Sequence, residues 1–439
     1  MYFYDLIHGY QPFNPSAIVP KWIKRNLKDK FLPTSSAMEK GLIPRGVQLQ
    51  GWTIEAWLAA KKSIHDLARK TLKNLKIANQ KGNVEIGASA YSHPILPMLS
   101  DDLIKIQVIL DREAVEKRLG KATWFWPPEG AIDQRTLKIV HQIFPDLILL
   151  IPDKAISRYN FSGPVKIKFP VSLVPLDASR SGTAGRKNSF QKAIVFNTLF
   201  KDLFMNAEDY RKRPKYVKRP KRLPKELVWA QVRRTVHSPK VFLQVLNFLK
   251  DYYRSPTSIV DGFVLMRDWE NAGSKKGLRK KENCKDIGVF SRLKDKIDFR
   301  LPGQFDWEKA EIVSINKIIQ ASWDMESTPQ DPFPWWRPNK EGKIWKQRKP
   351  FRRKRIVEWQ ELIREFDQVF QKKVKEKGGL EKSLADKGFK NSLKQTLPAL
   401  HSCVGWHYFA KRSWKPDYQY SQAALENIVL PNLEKLKKL

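Results

Sequence analysis

Leu147 to Ile151 is apolar at every position and is bounded by Asp146 and Pro152. A strand with no polar face must be covered on both sides, as strands in a parallel sheet flanked by helices are. The chain supplies candidates for the cover. Thr53 to Ala78 sets Ile54, Trp57, Leu58, Ile64, Leu67, Leu72 and Leu75 at helical spacing, with Thr53 as a capping residue at its start. Further strands are expected at Tyr2 to Ile7, Val84 to Ala90, Ala122 to Trp126, Ile167 to Val174 (weakened by Pro170), Ala193 to Phe196 and Ile259 to Met266. Further helices are expected at Asp101 to Leu119 in two pieces, Asp133 to Ile143 and Ser238 to Tyr253, and the proline- and glycine-rich stretch after the first strand reads as a long loop. Such alternation argues for an α/β fold, a parallel sheet with covered faces.

A length of 439 residues accommodates one large barrel and a smaller domain. The composition changes after Trp336. Pro, Lys and Arg dominate to Arg355, and helices are then expected over Ile356 to Lys377, Lys390 to Cys403 and Ser421 to Lys438. The division that follows is a barrel over residues 1–336 and a helical domain over residues 337–439.

Two cysteines, Cys284 and Cys403, make no disulfide framework, and no second cysteine joins Cys403, His401 and His407 at zinc-site spacing. No run approaches the roughly 18 apolar residues that a membrane span requires. The N-terminus lacks a basic region followed by a long apolar one, so no secretory signal is read and a cytoplasmic location is expected. The net charge of +37 is concentrated in clusters at Arg211 to Arg222, Lys275 to Lys281 and Lys343 to Arg355. The first holds eight basic residues, no acid, and Pro214 and Pro220. Proline-broken basic runs read as solvated loops, which is favoured here over a nucleic-acid or acidic-partner surface.

A parallel barrel gathers the C-terminal ends of its strands at one mouth, where active sites form. Four apolar runs end in reactive or polar groups: Tyr2 to Ile7 in His8-Gly9-Tyr10-Gln11-Pro12, Val84 to Ala90 in Ser92-His93-Pro94-Ile95-Leu96-Pro97, Ala122 to Trp126 in Pro127-Pro128-Glu129, and Ile259 to Met266 in Arg267-Asp268-Trp269-Glu270. Paired carboxylates beside aromatic faces suit glycoside cleavage. Prolines stiffen the backbone before Glu129, which helps a nucleophile; the plainer alternative is a carboxylate favoured by the dipole of the helix near Asp133. Residues 268 and 270 share one face of an extended segment and Arg267 the other. Glu270 would then raise the proton affinity of Asp268, and Trp269 would limit its solvation, as a general acid requires. The alternative is a carboxylate capping the following loop. His8 and His93 suit hydrogen bonding to sugar hydroxyls or a satisfied structural role. Trp126, Trp323 with Asp324, and Trp335-Trp336 supply flat rings for sugars or for packing between domains.

The order of these motifs resembles glycoside hydrolase family 57. The resemblance rests on His8 with Gln11-Pro12, on His93-Pro94-Ile95-Leu96-Pro97-Met98-Leu99, on Trp126-Pro127-Pro128-Glu129, on Asp268-Trp269-Glu270-Asn271-Ala272-Gly273, and on Ser322-Trp323-Asp324 as the fifth motif. It covers residues 1 to 336 and implies a distorted parallel (β/α)7 barrel followed by a helical domain. It also implies a retaining enzyme of α-glucans working by double displacement, with Glu129 as nucleophile and Asp268 as acid/base. His8, Gln11, His93, Trp126, Trp269, Glu270, Trp323 and Asp324 are the expected substrate contacts, with no metal and no cofactor. The partner expected is an α-glucan or oligosaccharide, with no membrane. The basic balance and the cationic loop at 211–222 depart from the family pattern.

Three rivals stand beside this. A metal-dependent polysaccharide deacetylase shares a related barrel but needs His-x-x-x-His, and the histidines at 8, 65, 93, 141, 237, 401 and 407 lack that spacing. A non-enzymatic nucleic-acid-binding protein would bind salt-sensitively and be indifferent to Glu129 and Asp268. An inactive glycosidase-like fold is the third.

Overall fold

The computed structural model describes residues 2–9, 23–157, 163–170, 189–198, 201, 226, 238–252, 262–269, 285–323, 333, 350–402 and 425–439. Among the described residues ten strands make one sheet. They are β1 (Tyr2–Gly9), β2 (Arg45–Leu49), β3 (Val84–Ala88), β4 (Ala122–Phe125), β5 (Ile148–Pro152), β6 (Gly163–Phe169), β7 (Ser189–Phe196), β8 (Gly262–Asp268), β9 (Asp298–Phe299) and β10 (Glu311–Ser314). The order is β10-β6-β7-β5-β4-β3-β2-β1-β8, with β9 also on β1. Pairing is parallel except between β6 and β7, which run antiparallel from Gly163↔Val195 to Phe169↔Ser189. The Ile167 region was expected as one more parallel strand. Its alternation of buried valine and isoleucine with lysine suits a sheet with one wet face instead.

Register partners in a parallel pair project from the same face. On one face Tyr4, Leu6, Val264 and Met266 of β1 and β8 share a core with Ile194 and Phe196 of β7, Ile148 and Leu150 of β5, Trp124 of β4 and Trp126 just beyond it. Strands from opposite ends of the sheet reach one cluster only if the sheet curls onto itself. The result is the distorted, mostly parallel barrel that the resemblance implied, built on the parallel sheet that the alternation predicted. Its interior is filled partly by the Trp124 indole, which has room because β2 and β3 carry Gly46 and Gly87 where it crosses.

The outer face is covered by helices: α1 (Leu32–Glu39), α2 (Gly51–Ala59), α3 (Lys62–Gln80), α4 (Asp101–Leu119), α5 (Gln134–Ile143) and α6 (Pro239–Tyr252). The helix expected over 53–78 is two, because Ala60 and Lys61 take extended backbone between α2 and α3. Thr53 does not cap it, since Gln50 precedes the first turn. The stretch expected as two pieces over 101–119 is the single helix α4. Within the former "long loop" lie both α1 and β2. Between β8 and β9 runs α7 (Lys285–Ser291).

The helical region holds α8 (Pro350–Glu376), α9 (Leu380–Ala385), α10 (Lys387–Thr396) and α11 (Leu430–Lys438). Trp359, Phe366, Phe370, Phe389 and Leu393 share one apolar cluster with Leu103, Ile104 and Leu110 of α4. Polar ties reinforce this contact. Ser100 Oγ donates to Asp367 at 2.6 Å, and Lys394 pairs with Glu55 at 2.9 Å. Among the described residues no helix is long and apolar enough to cross a membrane.

Candidate active site

The C-terminal end of β1 delivers His8 to the barrel interior. Its register partners are Gln48 on β2 and Asp268 on β8, so the three side chains leave the sheet on one face. Arg267 turns outward, as the alternation predicted, and meets Asp5 at 3.1 Å. His8 Nδ1 lies 2.6 Å from the Gln48 amide, whose nitrogen donates when its oxygen accepts from the N–H groups of Gln50 (3.2 Å) and Leu49 (3.3 Å). The His8 proton then sits on Nε2. Burial, reinforced by the neighbouring His93, holds His8 down to about 3, although Gln48 and Glu129 push the other way. His8 is therefore neutral at ordinary pH.

His93 stacks on His8 with ring centroids 4.9 Å apart and planes within 9°. It stands in the loop after β3, at φ 60, a left-handed value that non-glycine residues seldom take. The loop is fixed by Ser92 N–H donating to Gln107 at 3.0 Å, and by Asp111 of α4, which accepts from the N–H groups of Gly51 (2.7 Å) and Ser89. The Gln50 amide donates to His93 Nδ1, which leaves Nε2 to donate to Glu129 Oε1 at 3.2 Å.

Glu129 is also left-handed, at φ 57, and Gly130 follows it at φ 56. Pro127 and Pro128 fix the approach, and the Gly130 N–H closes on the Pro127 carbonyl at 2.8 Å. The segment carrying Trp323 runs antiparallel beside this turn through the bridge Ile132↔Ala321, and Trp323 N–H donates to the Glu129 carbonyl at 3.0 Å. Trp323 Nε1 thereby reaches Glu129 Oε2 at 2.9 Å. Ser402, at the end of the turn after α10, donates its hydroxyl to Oε1 at 3.2 Å and its N–H to the His93 carbonyl at 2.9 Å. Burial raises the affinity of Glu129 for a proton, but the interaction with His93 and the hydrogen bond from Trp323 outweigh it, so the net direction is down. The site thus holds a buried carboxylate as an anion. Glu129 does not serve helix α5, whose cap is Asp133, accepting from Thr136 N–H at 2.7 Å.

The structure therefore brings His8, His93, Trp126, Glu129 and Trp323 together, and sets Asp268, half-buried, beside His8. Trp126 is fully buried between His8, Trp323 and Phe196, and so forms the floor of the group. Trp269, the residue after β8, turns to the opposite side from Asp268. It is fully buried 4.6 Å from Phe31 in the outer core, so it offers no face to a sugar beside Asp268. Gln11, Glu270 and Asp324 lie outside the described residues. Sequence reasoning missed Gln48, Gln50, Lys201 and Ser402. Lys201, also buried, donates to the Trp323 carbonyl at 2.8 Å and lies 4.6 Å over its ring.

A mostly parallel curled barrel with a buried anionic glutamate at its mouth defines a class before any comparison. Residues 11–148 match the model of glycosyl hydrolase family 57. Among solved structures the chain is similar to a 4-α-glucanotransferase from Thermococcus litoralis, at 14% identity and TM-score 0.59, covering 100% of this chain and 60% of that one. It is similar to a family-57-type branching enzyme from Pyrococcus horikoshii at 14% identity and TM-score 0.62, covering 98% and 88%. An α-amylase from Thermotoga maritima matches at 11% identity and TM-score 0.59, covering 99% and 93%. At such identities the likeness is one of fold. No curated protein matches the sequence. The resemblance to glycoside hydrolase family 57 that the motifs carried thus holds.

Proposed function

We propose that the chain is a retaining glycoside hydrolase or glycosyl-transferring enzyme acting on α-glucans, with Glu129 as nucleophile and Asp268 as general acid/base. The observation that carries the proposal is the state of Glu129: a carboxylate kept anionic by His93 and Trp323, on a strained turn at the barrel mouth. A side chain held charged in a buried, over-determined position suits a nucleophile better than a structural group. The family match and the glucan-acting names of the similar structures supply the substrate class.

In the first step a Glu129 oxygen bonds to the anomeric carbon as the glycosidic C–O bond breaks. The departing oxygen keeps the electron pair and takes the proton of Asp268. In the second, water or a sugar hydroxyl attacks the same carbon, Asp268 removes its proton, and Glu129 leaves. Retention requires the carboxyl groups to come within about 5 to 5.5 Å of each other. The position of Asp268 on the interior face beside His8 is compatible with that requirement. Neutral His8, with its proton on Nε2, is suited to donate to a sugar hydroxyl.

The test is incubation with maltooligosaccharides of the wild-type chain and of Glu129→Gln and Asp268→Asn. Shorter or longer oligosaccharides that vanish in both variants support the proposal. Products that persist undiminished in Glu129→Gln would exclude that nucleophile.

A further inference from the structure

The two oxygens of Glu129 are not equivalent. Among the described residues, Oε1 accepts from His93 Nε2 and Ser402 Oγ, each at 3.2 Å, while Oε2 accepts from Trp323 Nε1 alone, at 2.9 Å. A carboxylate oxygen has two lone pairs in its plane. Oε1 is fully engaged, and Oε2 keeps one pair for a further partner. We infer that Ser402 is a positioning residue which, with His93, makes Oε2 the attacking atom and Oε1 the atom that carries charge. This rests on the reading of Glu129 as nucleophile.

The chemistry favours the division. Oε2 bonds to the anomeric carbon as the glycosidic bond breaks and its oxygen takes the Asp268 proton. Oε1 becomes the ester carbonyl and keeps both lone pairs, so His93 and Ser402 need not move. When water or a sugar hydroxyl attacks the anomeric carbon and yields its proton to Asp268, the C–Oε2 bond breaks. Negative charge returns to the carboxylate, and the two donors already aimed at Oε1 share it. Donors preset where charge develops contribute without reorganising.

Ser402 is well held for this task. It is fully buried, and its N–H donates to the carbonyl of His93, the other donor to Oε1. It comes from the helical region, 273 positions from Glu129 in sequence. The barrel alone therefore lacks one donor to its own carboxylate, and the packing of the helices on α4 sets the position of the hydroxyl. Nothing in the motif pattern over residues 1–336 includes it.

The Trp323 indole N–H rests on Oε2, so its 1H–15N resonance, assigned by its loss in Trp323→Phe, reports the protonation of Glu129 without substrate. In full-length Ser402→Ala the midpoint of that titration is expected to rise by roughly one pH unit, because a hydrogen bond to the charged form is lost. The acid limb of kcat/KM is expected to rise with it. The expected fall in kcat is about tenfold, with KM little changed, and Ser402→Thr should restore all three. An unmoved midpoint in folded Ser402→Ala overturns the inference. Should that variant fail to fold, Ser402→Cys, a weaker donor, is read the same way, with a smaller rise expected and no rise overturning it. Turnover surviving in Glu129→Gln would instead refute the nucleophile, independently of the indole titration.

Discussion

His93 donates its Nε2 proton to Glu129 at 3.2 Å, and each of the two residues holds its backbone left-handed, at φ 60 and φ 57. Left-handed backbone costs a non-glycine residue about 1–2 kcal/mol. One hydrogen bond is thus supported by two unfavourable conformations, each fixed by its surroundings.

Replacing His93 by Ala removes a donor to the anion. The proton affinity of Glu129 should rise, moving the acid limb of kcat/KM to higher pH, and kcat should fall by about 100-fold. Because the folded-state value of Glu129 is depressed, its contribution to stability is present above the unfolded value of about 4.3 and is lost as pH falls through the folded one. Denaturant titrations from pH 3 to 7 should show that acid-side loss reduced in His93→Ala. An acid limb that stays in place would contradict the assignment of His93 as the donor that keeps Glu129 charged.

Asp111 has the opposite sign. Burial pushes it up to about 7, against the two backbone N–H groups it accepts from. A carboxyl raised in the folded state gives stability that is greatest below its unfolded value of about 3.9 and declines as pH rises toward about 7. In Asp111→Asn that decline should disappear. One of the two N–H groups of Gly51 and Ser89 would face an amide nitrogen, so the variant should also be less stable at pH 4 by about 1–3 kcal/mol. Urea midpoints at pH 4 and pH 8 provide the comparison, and an equal slope in both proteins would refute it.

Gly87 lies against the Trp124 indole. A Cβ there would sit 2.5 Å from Cε2 and 2.6 Å from Cζ2. Gly87→Ala should destabilise by about 3 kcal/mol, the upper end of overpacking costs, since a fully buried ring packed inside the curled sheet has little room to yield. Adding Trp124→Phe should recover part of that loss. Guanidinium unfolding of the two single variants and the double measures the coupling.

Asp5 is buried beneath β1 between two guanidiniums, with Arg45 Nε at 2.7 Å and Arg267 Nη2 at 3.1 Å. It ties β2 and β8 to β1, the strands that bring Gln48 and Asp268 to His8. Asp5→Ala removes the buried carboxylate that both guanidiniums share, at an expected cost of about 3–5 kcal/mol. Thermal unfolding checks this. A loss below about 1 kcal/mol would mean that the guanidiniums find other acceptors.

What the sequence made legible follows from where the determining contacts lie. Leu147 to Ile151 and the helical stripe after Thr53 announce themselves through local periodicity, and the observed β5, α2 and α3 follow. Glu129 and Asp268 stand at strand ends, where position alone suggests chemistry. Strand β2 was invisible because Arg45 and Gln48 break its apolar run, and their burial is compensated by Asp5 and His8, each 40 positions away. Ser402 was invisible for the same reason on a longer scale. Trp269 was misread because its neighbour is a candidate acid, although strand alternation turns adjacent side chains to opposite faces.

The central claim is that Glu129 forms a covalent bond to sugar during turnover. Incubation with 5-fluoro-α-D-glucosyl fluoride, which slows the second step, followed by proteolysis and mass spectrometry, tests it directly. A glucosyl adduct on the peptide containing Glu129, lost in Glu129→Gln, is the predicted result. An adduct on another residue, or turnover of the reagent with inversion at the anomeric carbon, would contradict the account.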